Sequence, residues 1–94
     1  MLSGYRLMWI LVMFDLPVTT KSEQKEATEF RSFLLDQGFE MAQFSVYMRF
    51  FSSSKQIETC SQRVCSAVPK GGKVSIMQMT DKQYESCLLY TSPS

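Results

Sequence analysis

Leu11-Val12-Met13-Phe14-Asp15-Leu16-Pro17 decides the fold. It closes a continuous apolar run, Leu7 to Phe14 (LMWILVMF), whose short length, aromatic residues and β-branched residues favour a strand over a helix. Side chains alternate along a strand, so Met8, Ile10, Val12 and Phe14 share one face and Leu7, Trp9, Leu11 and Met13 the other. Both rows are apolar, so both faces of the sheet need cover. Helices can cover one, and a second subunit is the simplest candidate for the other. Asp15 ends the run with a carboxylate, a costly group beside a core unless it finds a partner. Leu16-Pro17 then breaks the strand.

Downstream, Thr20 and Glu23 fit a capping box, and a helix is expected from there to about Gln37. Ala27, Phe30, Phe33 and Leu34 form its apolar stripe, and Gly38 is its natural stop. Glu40 to Phe51 reads as one long strand, which a bulge or edge at Ser45 or Phe51 can divide into two. Its apolar row, Ala42, Phe44, Val46, Met48 and Phe50, is expected under the helices. Its mixed row, Met41, Gln43, Ser45, Tyr47 and Arg49, is expected at a partly wet interface. Ser52-Ser53-Ser54 is expected to cap a second helix with the stripe Ile57, Cys60, Val64 and Val68, ended by Pro69. Lys70-Gly71-Gly72 is a turn, Lys73 to Met79 a further strand, and Thr80 to Glu85 a turn or short helical piece. The order fits a ferredoxin-like β-α-β-β-α-β sandwich, an α/β (α+β) fold, and its second apolar face is where it is expected to dimerise through the sheet.

Ninety-four residues, 45% of them hydrophobic, hold one folded domain and no second core. Dimerisation would help so small a chain bury its surface. The net charge of +1 gives no global basic signature, so nucleic-acid binding has to come from local clusters of Lys and Arg. With three cysteines, no CxxC pair and no histidine, the sequence argues against a Cys/His zinc site and against a His base. The odd cysteine count points to the reducing cytoplasm. The apolar run lacks the flanks of a signal peptide and is too short to span a bilayer.

The last eight residues, Cys87-Leu88-Leu89-Tyr90-Thr91-Ser92-Pro93-Ser94, do not continue the pattern. They back-translate as TGT-CTC-TTA-TAC-ACA-TCT-CCG-AGC, which resembles a transposase-based sequencing adapter read in frame. The expected division is therefore a domain over residues 1–86 and a non-native tail over 87–94. The alternative is a genuine closing strand, Leu88 to Tyr90.

Asp15 is the acidic residue placed at a strand end beside the core. As a metal ligand it suits a hard divalent cation such as magnesium, which takes carboxylate and water oxygens and can activate water against a phosphodiester. One carboxylate makes a poor site, and two brought together across a dimer axis a better one. The alternative is that Asp15 caps the turn before the first helix, accepting N–H groups near Val18 and Thr19. Ser45, Tyr47 and Arg49 are candidates for contact with phosphate or with a partner subunit, or an ordinary solvent-facing surface. Arg6, Arg31 and Arg63, with Lys21, Lys25, Lys55, Lys70 and Lys73, can form a positive track for duplex DNA or a solvated surface. There is no P-loop and no nucleophile with a base.

LVMFDLPV at Leu11–Val18, FRSFLLDQGF at Phe30–Phe39, QFSVYMRF at Gln43–Phe50 and TDKQYE at Thr80–Glu85 together resemble the CRISPR-associated protein 2 family, in wording most similar to its type II system members. The resemblance covers about residues 5 to 85. It implies a ferredoxin-like fold and a symmetric homodimer. It also implies assembly between dimers of the CRISPR-associated protein 1 integrase, around the short duplex DNA inserted during spacer acquisition. Family members are also assigned a magnesium-dependent endonuclease activity with the strand-end aspartate as metal ligand, which matches Asp15. Whether this chain is an enzyme stays open on that basis, and the structural role is the favoured reading. Two departures stand out: members close to this chain often have an acidic residue where Phe44 stands, and the family's C-terminal region, which adds a strand to the dimer sheet and helps dock the integrase, is not recognisable here.

Overall fold

The computed structural model describes residues 8–88. Arg6, Leu7, residues 89–94 and the side chain of Cys87, all invoked above, lie outside what it describes. The elements run β1 (Met8–Asp15), α1 (Lys21–Asp36), β2 (Glu40–Gln43), β3 (Val46–Phe51), α2 (Ser54–Ala67), β4 (Lys73–Thr80) and α3 (Asp81–Leu88). The strands make one sheet in the order β2-β3-β1-β4, every pair antiparallel. With α1 and α2 both packed on one face, this is the expected ferredoxin-like α+β sandwich.

The core lies between that face and the two helices. Ile10, Val12 and Phe14 of β1 meet Phe30 and Leu34 of α1 and Ile57, Cys60 and Val64 of α2. Phe14 bridges the layers, with its ring edge-on to Phe30 at 5.1 Å and tilted against Tyr47 at 5.7 Å. The helix ends follow local chemistry. Thr20 Oγ1 accepts the Glu23 N–H at 3.0 Å, while Glu23 Oε1 accepts the amides of Thr19 and Thr20 at 2.9 and 3.0 Å. Gly38, at φ +90°, follows α1 as its stop. Ser53 sits at the N-cap of α2 but makes no side-chain capping bond. Thr80 and Gln83 form a second reciprocal cap, which turns the expected turn or short piece after β4 into a regular helix, α3.

Two expectations are corrected. Glu40 to Phe51 is a hairpin rather than one continuous strand, because Phe44 and Ser45 form a two-residue turn in which Ser45 takes φ +65°. The expected faces are also reversed. Opposite residues of neighbouring strands share a face, and β1 pairs Met8 with Phe51, Ile10 with Arg49 and Val12 with Tyr47. Tyr47 and Phe51 are therefore in the core, whereas Ala42 and Phe44 are exposed and Val46, Met48 and Phe50 share the opposite face with Trp9, Leu11 and Met13. Hydrophobicity could not choose between the rows because both faces of this sheet are apolar. Arg49 tolerates the helix side because its guanidinium reaches past the core edge. There it donates to the Gln37 carbonyl and lies over the Phe51 ring, 4.4 Å from the centroid.

The second face of the sheet is partly covered by α3. Trp9 stacks on Tyr84 at 4.0 Å and donates its Nε1–H to Asp81 Oδ1 at 3.0 Å. Tyr84 Oη in turn donates to Met48 Sδ. This cover sits at the Trp9 end of β1, the end away from Asp15.

Candidate functional site

Asp15 is the last residue of β1, and the sheet's alternation puts it in the row of Trp9, Leu11 and Met13, away from the helices. Its carboxylate is exposed and takes no hydrogen-bond or ion-pair partner among the described residues. The turn-capping role is not realised, because Glu23 takes the Thr19 and Thr20 amides instead. That leaves the Asp15 oxygens available.

Three neighbouring features fix the position of Asp15. The Phe14 N–H donates to the Ser45 carbonyl at 3.0 Å, tying the tip of the β2–β3 hairpin to the end of β1. On the other side β4 begins with Lys73 directly opposite Asp15 in the ladder. The Pro69–Gly72 turn leading into β4, closed by a Gly72 N–H to Pro69 carbonyl bond of 3.0 Å, packs on Leu16. A Cβ on Gly72 would come 2.4 Å from Leu16 Cδ2, so a larger residue there would have to displace the Leu16 side chain.

The four residues singled out from the sequence are thus not gathered in one place. Ser45 borders Asp15 through its backbone. Tyr47 is 3% exposed and belongs to the core beside Phe14. Arg49 is half-buried on the helix side, against the C-terminal end of α1. Lys73, which the sequence placed only within a general list of cations, is the charged residue nearest to Asp15 in the ladder. Only the β1–β4 register reveals this, and no local signal in the sequence encodes that register.

Among the described residues no group of three His, Cys, Asp or Glu side chains gathers to hold a metal ion. One chain therefore offers a divalent cation the Asp15 carboxylate and little more, and a second carboxylate has to come from elsewhere for the donor set to suit it. No helix among the described residues is long and apolar enough to cross a membrane.

Residues 8–87 match the family model described as CRISPR associated protein Cas2. A protein of Paracidovorax avenae named CRISPR-associated endoribonuclease Cas2 is 60% identical over 90 residues, covering 96% of this chain and 83% of its own length. The protein of the same name from Flavobacterium psychrophilum is 51% identical over 83 residues, covering 88% of this chain and 72% of its own. That from Acidovorax ebreus is 40% identical over 82 residues, covering 87% and 80%.

Proposed function

The chain belongs to the CRISPR-associated protein Cas2 family, and from that premise we propose that it works as a homodimeric bridge in spacer acquisition. In this reading it sits between integrase dimers of CRISPR-associated protein 1 and holds the duplex DNA to be inserted. The observation that carries it is the second face of the sheet. Leu11, Met13, Val46 and Met77 line it beyond the reach of the Trp9–Tyr84 contact, and Met77 and Phe50 are 45% and 41% exposed. A contiguous apolar face of this kind favours a partner. A second copy is the occupant that covers the same residues on both molecules. Asp15 continues the row of Leu11 and Met13, so pairing through this face would bring two Asp15 residues to the same seam.

The test is co-expression with the integrase and scoring of new spacers in the repeat array, for wild type, Asp15→Ala and Met77→Lys. The bridge reading expects Asp15→Ala to acquire spacers normally and Met77→Lys to lose both the dimer by size and acquisition. Acquisition by a monomeric Met77→Lys protein would refute it.

A second reading is a divalent-metal-dependent endoribonuclease. Two observations favour it: Asp15 is exposed without a partner among the described residues, and the relatives carry that activity in their names. A magnesium ion, when bound, supplies an activated water and charge stabilisation at the phosphodiester. Two Asp15 carboxylates would hold it, with Lys73 beside each to attract the phosphate backbone. This reading expects cleavage of single-stranded RNA that stops on chelation and in Asp15→Asn.

A further inference from the structure

On the helix side of the sheet, well away from Asp15, an open groove of about 440 Å³ runs between the C-terminal end of α1, β3 and α2. Arg49, Lys55 and Arg63 line it, and no carboxylate does so among the described residues. Lys55 and Arg63 stand eight residues apart on α2, two turns along one helix face, with Thr59 between them. Arg49 enters from β3. Cys60 also lines the groove. Burial pushes its thiol up, while Arg49, by charge and by a hydrogen bond, and Arg63, by charge, pull it back down.

Arg49 is the informative member. It is half-buried, yet its contacts are the Gln37 carbonyl and the Phe51 ring, with no carboxylate among the described residues. Burying an uncompensated guanidinium is unfavourable. Its side chain packs against Gly38, where an added Cβ would lie 3.3 Å from Arg49 Nε. Closing the end of α1 accounts for one of the five guanidinium N–H donors and for part of one charge. It does not account for two more cations gathered around the same groove.

We propose that this groove is a phosphate-binding site that takes a phosphomonoester, either the terminal phosphate of a nucleic acid or a free mononucleotide. A monoester carries nearly two charges at neutral pH and three terminal oxygens, whereas a backbone diester carries one charge. Three cations lining one groove match the former. The Arg49 fork suits bidentate recognition of two of those oxygens. The first turn of α2 reaches the groove through Ser53 and Gln56, and the Ser53 side chain caps none of its amides. The site is independent of the Asp15 reading, since it uses neither that residue nor a metal.

The experiment measures binding of the full chain to one oligonucleotide bearing either a 5′-phosphate or a 5′-hydroxyl, in EDTA, with adenosine monophosphate as competitor. The expected result is roughly tenfold tighter binding of the phosphorylated end. The preference should disappear in Lys55→Gln/Arg63→Gln, whose two sites are exposed and leave the core intact, and persist in Asp15→Asn. Competition by the mononucleotide would support a free nucleotide as occupant, and its failure to compete would support the nucleic-acid end. Equal affinity for the two ends, or equal loss for both in the double variant, would overturn the proposal, because general backbone attraction does not distinguish them.

Discussion

The most direct test of the fold's orientation is a pair of aromatic truncations three residues apart, Phe44→Ala and Tyr47→Ala. A strand's side chains alternate, so a slip of one residue in the β1–β3 register would move every residue of β3 to the other face. In the structure Tyr47 is 3% exposed, opposite the fully buried Val12 and against Phe14, while Phe44 is 89% exposed at the hairpin tip. Removing a buried aromatic ring costs about 3–5 kcal/mol through lost transfer energy and the cavity left behind. Removing an exposed one costs within roughly 0.5 kcal/mol. Natural domains hold only about 5–15 kcal/mol in total, so Tyr47→Ala should take away a large part of the stability. With a urea slope of about 1–2 kcal/mol/M, its midpoint should fall by roughly 2 M or more while that of Phe44→Ala barely moves.

The assay is urea unfolding followed by far-ultraviolet circular dichroism. It should be repeated over a range of protein concentrations, because a dimer's midpoint depends on concentration. Phe50→Ala and Phe51→Ala provide an internal repeat on adjacent residues, at 41% and 2% exposure, and Phe51→Ala should be the costlier. If Phe50→Ala proves as damaging as Phe51→Ala at every concentration, the strand faces the other way and the placement of Arg49 on the helix side fails with it.

Other outcomes follow from single contacts. Thr20→Ala removes the acceptor of the Glu23 N–H and should cost about 1 kcal/mol in the same unfolding assay. Asp15→Asn should leave the stability from urea unfolding within roughly 0.5 kcal/mol of wild type, since the carboxylate is exposed and has no partner among the described residues, while any metal-dependent cleavage is lost. Burial holds the Cys60 thiol above its ordinary range, so its contribution to stability is complete below the pH at which the unfolded thiol ionises and is lost as pH rises through the folded value. Thiol labelling of the folded protein at neutral pH should accordingly modify exposed Cys65 and spare Cys60, with mass spectrometry of the peptides as the readout.

Most of the architecture was legible because local chemistry and periodicity agreed. The Thr20–Glu23 capping box, the Ala27, Phe30 and Leu34 stripe and the Gly38 stop each lie where spacing alone put them. The β3 faces were not legible. The row Val46, Met48 and Phe50 is at least as apolar as Tyr47, Arg49 and Phe51, so composition favoured the wrong side, and the left-handed residue that sets the hairpin is a serine rather than the glycine or asparagine that would have announced it. The regular helix α3 was only half visible, because its tie to the sheet is a long-range contact from Trp9 to Asp81 and Tyr84. For the candidate site, Asp15 could be read from the sequence, whereas its pairing with Lys73 depends on a register that only the folded sheet supplies.

That pairing also bears on why a carboxylate ends an apolar strand at all. Among the described residues of one chain Asp15 makes no hydrogen bond and covers no core, so the described fold gives no reason for an acidic residue there. Its position in the row of Leu11 and Met13 gives one, because the exposed half of that face ends at Asp15 while α3 closes the other half at Trp9. If a second copy covers the open half, activity that depends on Asp15 must depend on protein concentration as dimerisation does. Mixing wild type with an Asp15→Asn chain should then lower activity by more than dilution, since mixed dimers carry one carboxylate instead of two. A strictly proportional loss would mean that each Asp15 acts alone, and the shared-seam argument would fail.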